Sequence, residues 1–117
     1  MGLDQTAFVT NQREKVIKEE LHYWRKHPNL QGWMEKLWRE KNPDESVGIE
    51  FNNIDVELTL EDLNKLENDI LQEKLPETVG FFFGKSQPFR KDGDLDFVKK
   101  AKEEIQKGNK IFYTSCW

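Results

Sequence analysis

Apolar positions along this chain follow two rhythms, and between them they outline the fold. From Arg13 the pattern is helical: Ile17, Leu21 and Trp24 recur at spacings of four and three. Pro28 disfavours the α conformation at His27, so that helix is expected to stop or kink there. Asn29 is expected to cap a second helix, on which Leu30, Trp33, Met34, Leu37 and Trp38 make one apolar stripe before Asn42-Pro43. Thr59, with Asp62 three residues on, predicts the start of a third helix through Leu60, Leu63, Leu66 and Ile70, ending before Pro76. "DLDFVKKAKEEIQKG" predicts a fourth, with Leu95, Val98, Ala101 and Ile105 inward and Gly108 as its stop.

The second rhythm is that of strands. "GLDQTAFVT" reads as a strand or extended lead-in, "KIFYTSCW" as a closing strand, and "VGIEFNNIDVELT" as the main interior strand, with Asn52-Asn53 as a turn or bulge. Strands and helices mix without regular βαβ alternation. The expectation is a single α+β domain over residues 1–117, a short, mainly antiparallel sheet packed with about four helices.

Composition narrows the function more than the fold. At 117 residues and 36% apolar content, the core is modest and leans on eight Phe, four Trp and two Tyr. A net charge of −4 argues against general nucleic-acid binding, which needs a basic face to neutralise phosphates. No run approaches the roughly 20 apolar residues of a membrane helix, and the start shows no signal-peptide pattern, so a cytoplasmic protein is expected. A single cysteine, Cys116, leaves no internal disulfide and fits a reducing compartment.

The chemical motifs are mostly imitations. Gly84-Lys85-Ser86 resembles the end of a phosphate-binding loop. Val79 stands where the first glycine belongs, three phenylalanines fill the interior, and Gln87-Pro88 follows where a helix should open. The bland reading is a strand or turn that inserts Phe81 or Phe83 into the core. His22 and His27, five apart, do not match the spacing of a helical metal pair and read as a helix-surface pair. No metal or cofactor is expected. The segment "HYWRKHPN" gathers Tyr23, Trp24, Arg25, Lys26, His27 and Asn29 at the expected bend, where cations beside aromatics suit an anionic group, although composition alone favours the plainer reading of Trp24 as core with Arg25 and Lys26 solvated.

Four stretches in order, Met1-Gly2-Leu3-Asp4, "YWRKHPNLQGWM", "LPETVGFFFG" and "IFYTSCW", resemble an uncharacterised family of small proteins found in bacteriophages and some bacteria. Some of its members carry the label phosphoglycerate kinase, but 117 residues are far too few for that two-domain enzyme. The chain departs from the family after its start, where Gln5-Thr6-Ala7-Phe8 replaces a Met-Tyr-Leu-like strand and the following insert is short. The resemblance implies a phage-type accessory protein, expected to be non-enzymatic and to bind a host protein or a small anionic ligand. The candidate binding residues are Trp24, Arg25, Lys26, His27, Asn29, Trp33 and Trp117. The alternatives are a small hydrolase or transferase using His27 as base, and a structural protein whose phenylalanines pair in a homo-oligomer.

Overall fold

The computed structural model describes residues 2–10, 18–78 and 90–117. Strands β1 (Asp4–Thr10), β2 (Lys18–Arg25), β3 (Val56–Leu58) and β4 (Lys110–Cys116) form one antiparallel sheet in the order β2-β1-β4-β3. Helices α1 (Pro28–Lys41), α2 (Leu60–Leu71) and α3 (Arg90–Gln106) complete an α+β domain. There are three helices among the described residues, not about four.

The missing helix is β2. Residues 18–25 pair with β1, and the register shifts by one residue between Ala7 and Phe8, which leaves Leu21 without a cross-strand partner. This bulge explains why the sequence misleads. It resets the alternation, so that the core-packed residues Leu21 and Trp24 stand three apart, a spacing that imitates a helix. Of the expected first helix, residues 13–17 lie outside the described residues.

The interior strand expected across 47–59 is also largely absent, since only Val56–Leu58 joins the sheet. Upstream, Asn53 takes a left-handed φ of 59° and donates its N–H to Ser115 O at 2.7 Å. Asn52 clasps Trp117, accepting its N–H and donating to its carbonyl at 3.0 Å each. Two asparagine contacts thus replace regular pairing. Phe51 is buried against Trp38 and Tyr113.

The other elements follow their sequence signals. All five stripe residues of α1 are buried. The N-cap of α1, however, is His27, with Pro28 in the first turn, where its missing N–H costs nothing. Asn29 lies inside the helix, and its Oδ1 accepts the N–H of Thr78 at 3.1 Å. Thr59 and Asp62 form a complete capping box at the start of α2. Partial burial would raise the Asp62 carboxyl, but Lys41 and the Thr59 N–H and hydroxyl outweigh it and hold the group below the usual range. On α3, Phe97, Val98 and Ala101 are buried, and Leu95 and Ile105 pack at the core edge.

One face of the sheet supplies the core. Ala7, Val9, Trp24, Val56, Leu58, Ile111 and Tyr113 meet the apolar faces of the helices there, while Phe8 stacks on Phe112 at 5.6 Å on the opposite face. Gly32 lets the chain after α2 dock on α1. A Cβ at Gly32 would stand 1.9 Å from Thr78 Oγ1. Gly32→Ala is therefore expected to lower the melting temperature, although alanine is intrinsically better in a helix by about 1 kcal/mol. Adding Thr78→Gly should reverse that loss. A rise in melting temperature for Gly32→Ala alone would contradict the close docking.

Candidate functional site

The bend at residues 24–29 is real, but it is a strand-to-helix corner rather than a helix-to-helix one. β2 ends at Arg25, and Lys26 turns the chain with a φ of 55°, a region costly for a residue with a side chain. Its N–H donates to Leu3 O at 2.8 Å. Gln5 then takes over. Its Oε1 accepts the His27 N–H at 2.9 Å and its Nε2 donates to the His27 carbonyl at 3.0 Å. A side-chain amide thus continues the pairing of β1 onto the first residue of the helix turn.

Behind this clasp lies a buried polar network. Asp94, on α3, accepts the indole N–H of Trp24 at 2.9 Å and lies 2.7 Å from His27 Nε2. The side chains of His27 and Asp94 are each 3% exposed. As a carboxylate, Asp94 only accepts, so His27 Nε2 carries the hydrogen between them. Gln5 Nε2 also donates to the Tyr113 hydroxyl at 3.0 Å, and that hydroxyl donates to Gln31 Oε1. Gln31 donates in turn to Ser115 Oγ at 2.9 Å and to Phe51 O at 3.2 Å. Both amides use both of their hydrogens and their oxygen. A network satisfied in this way rigidifies a core, whereas a broken one exposes the full desolvation cost of its members. Burial pushes the Tyr113 hydroxyl far above the usual phenol range, with Gln5 opposing, so it stays a donor. Burial also holds the neighbouring His22 below the ordinary histidine range, against the pull of Asp94, while Lys100 adds to the depression.

The histidines are therefore not a helix-surface pair. His22 sits on β2 against Trp24 and Phe97, and His27 is interior. Among the described residues no group of three metal-ligating side chains converges.

The seven candidate binding residues divide among five places. Trp24 and His27 join through Asp94. Arg25 and Lys26 are exposed and lie close to Gly2: a Cβ there would lie 3.5 Å from Lys26 Cε and 3.6 Å from Arg25 Nη2. Asn29 docks Thr78, and Trp33 is buried with its indole N–H donated to Asp69 on α2 at 2.8 Å. Trp117 is held by Asn52, and its indole donates to Phe51 O at 2.9 Å. They do not form one pocket. The phenylalanines at 81–83 and Gly84-Lys85-Ser86 lie outside the described residues.

Sequence reasoning passed over Gln5, Gln31, Asp94 and Tyr113. Gln5 and Gln31 carried one signal, a polar residue on an otherwise apolar face, which becomes informative only once the partners are known.

No protein-family model, curated protein or solved structure matches the chain. No described helix is long and apolar enough to cross a membrane.

The network makes a stability prediction. Asp94→Ala strands two buried donors, Trp24 Nε1 and the His27 ring, and is expected to cost about 2–6 kcal/mol in urea unfolding, at about 1–3 kcal/mol for each stranded donor. A loss under about 1 kcal/mol, typical of a surface change, would contradict the network's role.

Proposed function

We propose that the chain is a small phage-type accessory protein that works by binding rather than catalysis, with Arg25 and Lys26 engaging an acidic surface of a host protein. The observation that supports this is the fixed corner. The backbone of residues 25–27 is held by Leu3 O, by both ends of the Gln5 amide and by Arg90, whose guanidinium donates to Arg25 O. Backbone strain held at Lys26 by so many contacts is a feature associated with functional sites.

On this corner the two cationic side chains stay in water. Arg25 is 62% exposed and lies 3.9 Å from Asp4, which also accepts the Tyr23 hydroxyl at 2.6 Å. An exposed pair at that distance contributes little, so Arg25 can exchange Asp4 for a partner's carboxylate. An exposed, solvated Arg–Lys pair suits a protein surface better than an enclosed ligand, and its fork and point charge suit carboxylates. Catalysis by His27 fits less well, because its ring is spent on Asp94 inside the core.

The test is affinity capture from host extract, with bound proteins identified by mass. Arg25→Ala with Lys26→Ala should abolish capture of any specific partner and change folding stability by less than about 1 kcal/mol. Undiminished capture by that folded variant would sink the proposal.

A further inference from the structure

A second feature lies away from the corner, between α1 and α2. A cleft of about 120 Å³ is lined by Trp33, Lys36, Leu37, Glu40, Lys65, Asp69, Lys74 and Pro76. The hydrogen bond from Trp33 Nε1 to Asp69, both in the lining, ties one helix to the other at this cleft. Trp33 and Leu37 are buried and make part of the lining apolar.

Three lysines reach the cleft from three separate segments: Lys36 from α1, Lys65 from α2, and Lys74 from the chain beyond α2. Among the described residues none of their ammonium groups has an ion-pair partner. Two carboxylates share the lining. Asp69 is engaged by the Trp33 indole, and Glu40 lies four residues beyond Lys36 on the same helix face. Three cations against two anions leave a charge of +1 in the lining.

We propose that this cleft is a binding site for a small phosphorylated ligand, with Lys36, Lys65 and Lys74 closing on its phosphoryl group. The chemistry of the lining selects phosphate over carboxylate. A carboxylate is planar, and the arginine fork matches it best, but no arginine lines the cleft. Lysines are point charges that bind phosphate from any direction, and a tetrahedral dianion offers oxygens to three of them at once. The size agrees, since a cavity of about 150 Å³ holds a molecule as large as benzene. The cleft therefore takes a phosphoryl group with a few further atoms, not a nucleotide. Trp33 and Pro76 would pack against those atoms. This site is independent of the Arg25–Lys26 corner.

The test is an NMR titration with inorganic phosphate at constant ionic strength, following the Trp33 indole N–H and the amides around Lys36, Lys65 and Lys74. Saturable shifts confined to the cleft are expected. Lys36→Gln with Lys65→Gln and Lys74→Gln should weaken binding at least tenfold while the amide spectrum stays folded, and Lys65→Gln alone serves if the triple variant does not fold. Glu40→Gln should tighten binding severalfold, because it removes a repelling charge without touching a lysine. Arg25→Ala should leave binding unchanged. Shifts that never saturate, an equal response to acetate, or binding that survives loss of the lysines would each overturn the assignment.

Discussion

One buried carboxylate organises the molecule. Asp94 sits on α3 yet accepts from the last inward residue of β2 and from the residue that opens α1. A carboxylate in the interior is tolerable only with donors in place, and here Trp24 and His27 supply them. The requirement works in both directions. α3 must lie against the strand-to-helix corner for Asp94 to find donors, and the corner must turn where it does for His27 to reach Asp94. Gln5 and Gln31 extend the same constraint to β1, β4 and the Phe51 carbonyl. Apolar burial provides most of the driving force for this core, but it is non-directional. The network specifies which helix lies over which strand.

The same constraint accounts for the character of the corner. Lys26 occupies a left-handed conformation because the clasp around His27 leaves the chain no straighter route from β2 into α1. With Trp24 and His27 drawn inward, the residues between them must face out. Arg25 and Lys26 are exposed as a consequence of what their neighbours bury, which separates the basic pair from the aromatic platform that the sequence seemed to offer it.

What was legible in the sequence was what depends on one element alone. The α1 stripe, the Thr59–Asp62 box and the extended segments that become β1 and β4 are local patterns, and the fold honours them. What was illegible depends on pairs of elements. The bulge opposite Ala7 and Phe8 is a property of two strands, and within one strand it reads as a helix. The segment before β3 has the β-branched and aromatic content of a strand, but Asn53 and Asn52 spend their hydrogen bonds on the end of β4. The candidate residues carry binding chemistry, but that chemistry is largely consumed internally: His27 by Asp94, Trp33 by Asp69, Asn29 by Thr78. The lysine cleft was invisible for the complementary reason, since Lys36, Lys65 and Lys74 are ordinary solvated residues until two helices bring them together.

If Asp94 and the two glutamines hold the fold together, the corner opens only with the whole domain. Native-state hydrogen exchange at the His27 amide measures this directly, because that N–H lies beyond the β1–β2 ladder and donates to the Gln5 side chain. If the network locks the corner, the amide exchanges only by global unfolding, and its protection free energy equals the stability measured with denaturant. Exchange through local fluctuations, at a free energy several kcal/mol below the global value, would show that the corner is an ordinary loop and that the network does not hold the fold together.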